Sequence, residues 1–247
     1  MSGPETGERP RPDPARTVVV VPTYNERETF PALADAVLRL EGGWRLLVVD
    51  DNSPDGTGQL AGALARREAR VSVVHRERKE GLGPAYLAGF REALSRPEVD
   101  FICQMDCDFS HDPSDLPRLL AATGEADLAI GSRYVRGGGT AGWSLRRRWL
   151  SRWGNAYVHL VIGVPVRDMT AGFRCWRRAT LAAIDMAAVA TRGYGFQIEM
   201  AYRAARAGGK VVEVPIVFTE RRAGKSKMSG SIVTEALALP WRLRRSR

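Results

Sequence analysis

The sequence predicts an α/β protein in which helices flank a mostly parallel β-sheet. Short apolar runs rich in Val, Ile and Leu alternate with segments whose apolar residues recur at helical spacing. Runs that are apolar at nearly every position are typical of parallel strands, because both faces of such a sheet are covered. Repeated strand–helix–strand units with short links therefore predict one continuous sheet.

The first half of the chain alternates between the two element types. The predicted strands are Thr17–Val21, Arg45–Val49, Val71–His75, Phe101–Met105 and Leu128–Gly131. The predicted helices are Glu28–Leu40, Thr57–Arg67, Pro84–Leu94 and Pro113–Ala121. Asp112 precedes the last of these as an N-cap, and a proline at the first helical position also favours helix initiation.

The second half predicts mainly helix. It contains one extended segment, Val211–Phe218, and the predicted helices Trp143–Ile162, Phe196–Ala207 and Ser231–Leu239. Pro240 ends or kinks the last helix, because proline lacks the amide hydrogen that a helix interior needs.

Composition divides the chain into a tail, a domain and a C-terminal segment. Residues 1–16 are rich in Pro, Gly, Glu and Arg with almost nothing apolar, which predicts a disordered tail. Residues 17–230 form the predicted domain. Residues 231–247 mix Trp and Leu with arginine, which predicts an amphipathic helical segment at a membrane surface; the alternative is a disordered basic tail.

The formal net charge of +9 favours an acidic partner, such as nucleic acid, anionic lipid or a phosphorylated substrate. The sequence contains no aromatic-interleaved basic stripe and no recognition-helix motif, so we expect no nucleic-acid partner.

The three cysteines form neither a CxxC pair nor an even disulfide framework, which fits a reduced cytoplasmic setting. No apolar stretch resembles a signal peptide or approaches the ~20 residues of a membrane span, so we expect a soluble or peripheral protein.

Polar clusters follow the predicted strands at the point where each strand ends. Asp106 and Asp108 flank Cys107 after a buried strand, and side chains two residues apart lie on one side of a strand. Two carboxylates on one side repel each other unless a cation lies between them. Mg²⁺ or Mn²⁺, completed by diphosphate oxygens and water, suits such ligands. The alternative is a solvated Asp-x-Asp turn.

Two further clusters end other strands. Asp51 follows the second strand, where an acidic side chain typically hydrogen-bonds the ribose or base of a nucleotide. The alternative for residues 50–56 is a turn with a helix cap, and both interpretations are compatible. Residues 22–26, after the first strand, are equally compatible with an ordinary loop.

Cations are placed where they could contact phosphates. Arg133 follows Gly131-Ser132 at another strand end, where a guanidinium can bind a diphosphate; the alternative is a surface ion pair. The basic segment 220–227 surrounds a glycine and could close on phosphates, or it could be a solvated loop. We expect the arginines at 146–152, among them Arg147, to contact an acceptor phosphate.

A series of motifs runs in order from about residue 17 to 230, and on them the chain resembles the polyprenol-phosphate (dolichol-phosphate) mannose synthases, which are inverting GT-A glycosyltransferases. The motifs are Val20–Glu26, Val48–Gly58, Gly81–Gly83, Met105–His111, Gly131–Tyr134, Arg167–Arg174 and Arg221–Met228. The resemblance implies a GT-A, Rossmann-like fold, GDP-mannose as donor, a polyprenyl monophosphate as acceptor, and Mg²⁺ or Mn²⁺ as cofactor. It also implies a peripheral position on the cytoplasmic face of a membrane, and it allows a membrane partner subunit.

The resemblance also assigns roles to matching residues. Asp106, Cys107 and Asp108 would contact the donor, and the two aspartates would also bind the metal. The implied guanosine pocket consists of Pro22, Tyr24, Glu26, Val49 and Asp51, and the implied phosphate ligands are Arg133, Arg221 and Lys227. Two positions depart from the family pattern. Cys107 replaces the usual alanine, and Ser110 stands where some relatives carry a metal-binding glutamine.

The implied chemistry is a single displacement that inverts the anomeric carbon and gives a β-linked product. A phosphomonoester has its second pKa near ~6, so the acceptor is already nucleophilic at neutral pH and needs no protein base. Asp168 would orient the sugar hydroxyls, or act as a base if the acceptor were an alcohol. The alternatives are glucosyl or other sugar transfer to the same lipid, and a non-catalytic lipid- or nucleotide-binding subunit.

Overall fold

The computed structural model describes residues 9–191, 193, 195–220 and 230–245 of the chain. Within them, a seven-stranded sheet forms the centre and a two-stranded sheet lies apart from it. The strands are β1 (Thr17–Thr23), β2 (Arg45–Asp50), β3 (Val71–His75), β4 (Phe101–Gln104), β5 (Leu128–Ser132), β6 (Gly139–Ala141), β7 (Arg174–Arg177), β8 (Val211–Pro215) and β9 (Val217–Thr219). The strand order of the large sheet is β3-β2-β1-β4-β7-β5-β8.

Helices cover both faces of the large sheet, as the alternating pattern predicts. They are α1 (Phe30–Leu38), α2 (Thr57–Ala65), α3 (Leu82–Leu94), α4 (Leu116–Ala122), α5 (Leu145–Ile162), α6 (Arg178–Ala182), α7 (Gly195–Arg206) and α8 (Gly230–Arg245). A 3₁₀ turn at Pro113–Asp115 leads into α4, and Asp112 accepts a hydrogen bond from the Ser114 amide as its N-cap. The predicted helix at this place therefore exists, although its first turn is 3₁₀.

The sheet is parallel except at β7, which pairs antiparallel with both β4 and β5. The mostly parallel α/β fold is thus confirmed. The sequence did not predict β7, because this strand of four residues includes two buried arginines, Arg174 and Arg177, and lacks an apolar run. Their guanidinium groups are satisfied mainly by backbone carbonyls, which allows charged side chains in a central strand.

The apolar runs form two cores, one on each face of the sheet. Val18 and Val20 lie in the core beneath α3, whereas Val19 and Val21 lie in the core beneath α1. Helix α3 approaches the sheet closely at Gly89, where a Cβ atom would lie 2.4 Å from Cγ1 of Val20. This double burial is the physical reason for strands that are apolar at every position.

Part of the predicted tail is structured. Residues 9–16 pack on the domain, with a 3₁₀ turn at Pro14–Arg16, whereas residues 1–8 of this segment lie outside the described residues. Arg16 pairs with Asp100, and the carbonyl of Pro10 accepts a hydrogen bond from Arg177. Ion pairs and backbone hydrogen bonds hold this segment on the domain. A prediction based on the number of apolar residues does not detect such contacts.

The C-terminal segment also differs from its prediction. Helix α8 continues through Pro240 and packs on α5 and α7, with Leu239 and Leu243 buried in the core. Trp241 donates a hydrogen bond to the hydroxyl of Tyr157 at 2.9 Å. Residues 239–245 therefore belong to the domain rather than to a separate appendage.

Candidate active site

The sheet reverses its winding direction between β1 and β4. The chain runs from β1 to β2 and β3 on one side, and β4 then pairs with the other side of β1. In open α/β sheets, ligands bind beyond the carboxyl ends of the strands at such a reversal. Residues 24–26, 51–53 and 106–108 follow β1, β2 and β4, so the topology brings the predicted clusters to the same edge of the sheet.

Asp106 is held by a buried tyrosine. The hydroxyl of Tyr86 donates to Oδ1 of Asp106 at 3.0 Å, and the Tyr86 ring stacks against Phe90 and Phe196 at centroid distances of 5.8 and 5.9 Å. Burial raises the pKa of Tyr86 well above its usual value, with the charge of Asp106 adding to the effect. The tyrosine is therefore a permanent proton donor that fixes the orientation of this carboxylate.

Asp108 is held by a tight turn. Its Oδ1 atom accepts hydrogen bonds from the backbone amide of Ser110, at 3.0 Å, and from the Ser110 hydroxyl. Between these residues, Phe109 has a positive φ of 57°, a strained conformation for a bulky residue. Because the carboxylate caps this turn, Asp108 has a fixed position at the end of β4.

Cys107 lies on the opposite side of the chain from the two aspartates. Its side chain is buried in the core under α1, with Sγ 4.0 Å from the hydroxyl of Thr29. Burial raises the pKa of the Cys107 thiol, so it stays protonated. Contact with a substrate through this side chain, as predicted, does not agree with its burial in the core.

The oxygen donors of this site fit a divalent cation. Tyr86 and Ser110 orient the two carboxylates through neutral hydroxyl groups, which add no positive charge. In the described part of the chain, no group of three or more His, Cys, Asp and Glu side chains is arranged to hold a metal. A metal bound by Asp106 and Asp108 would thus depend on diphosphate oxygens and water for its other ligands, as Mg²⁺ commonly does.

His111 lies behind the aspartates as a neutral ring. It stacks on Phe173 at a centroid distance of 4.9 Å and meets the edge of Phe218 at 5.3 Å. Burial lowers the pKa of His111 to about 4, against the opposing influence of Asp108. The neutral imidazole accepts a long hydrogen bond from the backbone amide of Asp106 through Nδ1 at 3.4 Å, so His111 helps to hold the backbone at Asp106 in place.

Asp51 at the end of β2 forms an ion pair that the sequence did not predict. Arg76, directly after β3, donates to Oδ1 of Asp51 at 2.5 Å and also contacts Glu80. Burial raises the pKa of Asp51, and Arg76 opposes this rise. The only available sequence signal for Arg76 was its position at a strand end.

The other residues of the implied guanosine pocket separate into two groups. Pro22, Tyr24 and Glu26 are half-buried at the end of β1, and the ammonium group of Lys79 lies 3.7 Å above the Tyr24 ring. Val49, in contrast, is fully buried in the core beneath α3. Its side chain therefore cannot line an open pocket, which corrects the prediction for this residue.

Arg133 and Asp168 bind each other. The guanidinium donates to both carboxylate oxygens, at 2.8 and 2.6 Å, and the Arg133 amide donates to Oδ2 at 2.9 Å. Arg133 also donates to the hydroxyl of Thr170, and Asp168 is completely buried. Since these donors occupy both carboxylate oxygens of Asp168, this residue positions Arg133. The predicted contact of Asp168 with sugar hydroxyls does not agree with the complete burial of its side chain.

Arg147 lies beside Arg133 across an aromatic ring. Its guanidinium is 4.0 Å from the ring centroid of Trp143 and pairs with Glu220 at 2.7 Å, while Arg133 is 5.6 Å from the same centroid. Two of the predicted phosphate-binding arginines are therefore neighbours. Arg221 and Lys227, the other predicted phosphate ligands, lie outside the described residues.

Comparisons with known proteins agree on one family. Residues 18–184 match the family model described as glycosyl transferase family 2. An undecaprenyl-phosphate mannosyltransferase from Micrococcus luteus is 49% identical over 90% of this chain and 91% of its own length. A polyprenol monophosphomannose synthase from Mycolicibacterium smegmatis is 51% identical over 90% and 84%, respectively.

A solved structure shows the same fold at lower identity. Glucosyl-3-phosphoglycerate synthase from Mycobacterium tuberculosis, in complex with Mn²⁺, UDP and glucosyl-3-phosphoglycerate, superimposes with a TM-score of 0.65 at 21% identity. The match covers 93% of this chain and 78% of that one. At this identity, the likeness concerns the GT-A fold alone.

Proposed function

Because the chain belongs to glycosyl transferase family 2, and is therefore a glycosyltransferase related to polyprenol-phosphate mannosyltransferases, we propose that it transfers mannose from GDP-mannose to a polyprenyl monophosphate. The names of the two bacterial relatives support mannose as the sugar and a polyprenyl phosphate as the acceptor. The observation that carries the proposal is the crevice where Asp106 and Asp108 lie at the same sheet edge as the Asp51–Arg76 pair.

The Asp51–Arg76 pair suits a guanine base. Guanine presents N–H donors next to a carbonyl acceptor. A carboxylate can accept from those donors while a guanidinium donates to the carbonyl, and this pair places both groups at the end of β2. Such a pair is compatible with GDP-mannose as the donor, and the donor assay below distinguishes guanine from uracil, which also places an N–H beside a carbonyl.

Asp106 and Asp108 would hold the cation, Mg²⁺ or Mn²⁺. When bound, the metal would neutralise charge that develops on the departing diphosphate. Arg133, held by Asp168, would bind phosphate oxygens with a guanidinium whose orientation is fixed before the donor arrives. Arg147 would contact the acceptor phosphate, so that two cations offset the repulsion between the two phosphates.

The acceptor phosphate would itself be the nucleophile. With its second pKa near ~6, a phosphomonoester is largely dianionic at pH 7 and requires no base. Attack of its oxygen on the anomeric carbon, with departure of GDP, would invert that carbon and give a β-linked mannosyl phosphate.

The decisive experiment offers radiolabelled GDP-mannose or UDP-glucose to the purified protein with a polyprenyl phosphate. We expect label in the lipid only from GDP-mannose, loss of transfer with EDTA, and recovery with Mg²⁺ or Mn²⁺. Label that enters the lipid only from UDP-glucose would refute the proposed donor, and full activity in EDTA would refute the metal.

An apolar surface supports a peripheral position on a membrane, which we propose is on its cytoplasmic face. Within the described residues, no helix is long and apolar enough to cross a bilayer. Helix α5 nevertheless exposes Leu145, Trp149, Trp153 and Leu160 by 64% or more. These residues recur at helical spacing along one face, and arginines 146, 148 and 152 are exposed beside them. Aromatic and aliphatic side chains flanked by cations are typical of a helix in an anionic lipid interface.

Removing both tryptophans from α5 should weaken membrane binding. For the double variant Trp149→Ser, Trp153→Ser, we expect at least about tenfold weaker binding to anionic vesicles, because two large apolar side chains no longer leave water. Sedimentation with phosphatidylglycerol vesicles measures this binding. Val217→Ser removes another exposed apolar residue, from β9, and should bind as the wild type does. Equal binding by all three proteins would rule out α5 as the contact.

A further inference from the structure

We propose that Gln197 on α7 recognises a hydroxyl group of the donor sugar, in a notch that exists because residue 172 is glycine. The notch is the space next to Gly172 that is bounded by Gln197, Asp106 and His111. This inference rests on the proposed glycosyl transfer and extends it to the residue that selects the sugar.

A chain of hydrogen bonds fixes the orientation of the Gln197 amide. The indole N–H of Trp176, which can only donate, bonds to Oε1 of Gln104 at 2.7 Å. Gln104 must therefore present its NH₂ group on the other side, where it donates to Oε1 of Gln197 at 3.0 Å. As a consequence, the NH₂ group of Gln197 is directed away from Gln104.

That NH₂ group has no acceptor among the described residues. Gln197 is 3% exposed, and its Nε2 atom is buried without a hydrogen-bond partner in the part of the chain that the structure describes. Buried amide donors are almost always satisfied, and an unsatisfied one calls for an explanation such as a ligand. A substrate group in the notch would supply the acceptor.

The notch contains complementary groups at short range. A Cβ atom on Gly172 would lie 3.4 Å from Nε2 of Gln197, 3.7 Å from Oδ2 of Asp106 and 3.7 Å from Cε1 of His111. The N–H donor and the carboxylate oxygen thus both face the side of Gly172 that a side chain would otherwise fill. A hydroxyl group both accepts and donates, so it can bond to Gln197 and Asp106 together.

The wall of the notch is fixed by a buried arginine. Arg174 donates to the carbonyls of Ala171, at 2.8 Å, and Met169, at 3.0 Å, on the segment that leads to Gly172. Tyr86 fixes Asp106 on the opposite side, as described above. Because its walls are held in place, the notch can select one hydroxyl position of a sugar.

The chemistry predicts strong discrimination against one deoxy sugar. A buried site that hydrogen-bonds a substrate hydroxyl rejects the analogue that lacks it, because its own polar groups remain unpaired. We expect one of the 2-, 3-, 4- and 6-deoxy forms of the donor to lose about 10- to 100-fold in kcat/KM with the wild-type protein. The other deoxy forms should lose less.

Two variants test whether Gln197 causes this discrimination. Gln197→Met keeps the approximate volume but removes the N–H donor, together with the oxygen that accepts from Gln104. Gly172→Ala fills the notch at ordinary contact distances, and Gly172 has no positive φ that would strain an alanine. Both variants should lower kcat/KM with the full donor about 10- to 100-fold and should no longer distinguish the sensitive deoxy donor. Gly62→Ala, whose Cβ would also have only ordinary contacts at 3.8 Å, should behave like the wild type.

The outcomes separate this inference from the proposed function. If the wild type uses a nucleotide sugar other than GDP-mannose, the proposed donor is wrong, and the same series with deoxy forms of the active donor still tests Gln197. If Gln197→Met misfolds, Gly172→Ala gives the answer without disturbing the hydrogen-bond chain. The inference fails if no deoxy donor is disfavoured, or if a folded variant discriminates as strongly as the wild type.

Discussion

Asp108→Asn is expected to lower kcat/KM about 1,000-fold or more without unfolding the protein. Asparagine keeps the oxygen that accepts from the amide and hydroxyl of Ser110, so the turn around Phe109 should survive. It removes the negative charge that would bind the divalent cation. Loss of an electrostatic group that acts on a departing anion typically costs 100- to 1,000-fold, and loss of the metal as well costs more.

The measurement is transfer of label to lipid across a titration of Mn²⁺, together with thermal unfolding. Asp112→Asn is a matched control, because Asp112 is exposed in the same loop and asparagine is an equally good N-cap. This control should keep wild-type activity. If Asp108→Asn retained more than a tenth of the activity with an unchanged metal requirement, the assignment of Asp108 to the cation would be wrong.

Asp168→Ala is expected to lower the free energy of unfolding by about 3 kcal/mol or more and to remove most of the activity. Removing one partner of a buried ion pair leaves an uncompensated charge, which typically costs ~3–5 kcal/mol. Here the remaining charge is the guanidinium of Arg133, whose side chain is only 8% exposed. Activity should fall because Arg133 loses the carboxylate that orients it toward phosphates.

A second variant separates the two effects. In Asp168→Ala, Arg133→Met, neither charge of this pair remains, so denaturant unfolding should show partial recovery of stability while activity stays low. Asp35→Ala removes the partner of Arg39 in an exposed pair on α1 and should change stability by less than about 1 kcal/mol. If the double variant regained activity, the pair would serve the fold alone.

The order of the main strands and helices followed from the sequence. Strands β1 to β5 lie where the apolar runs predict them, with differences of one or two residues at their ends. Because both faces of the sheet are buried, each of these strands is apolar at nearly every position, and this pattern is visible in the local sequence. Strand β7 was not predicted, because its burial depends on arginine side chains that reach distant carbonyls, such as those of Ala126 and Thr123.

For the candidate site, the sequence determined which segments meet, and the tertiary structure decided what each side chain contacts. Polar residues after parallel strands must gather at one sheet edge, so the positions of Asp51, Asp106 and Asp108 could be predicted. The local sequence does not show which side chains from separate segments pair with each other. Only the fold shows that Asp168 holds Arg133 and that a relay of amides fixes the orientation of the Gln197 side chain. The physical reason is that strand alternation is a local property, whereas each of these contacts joins residues that are far apart in the chain.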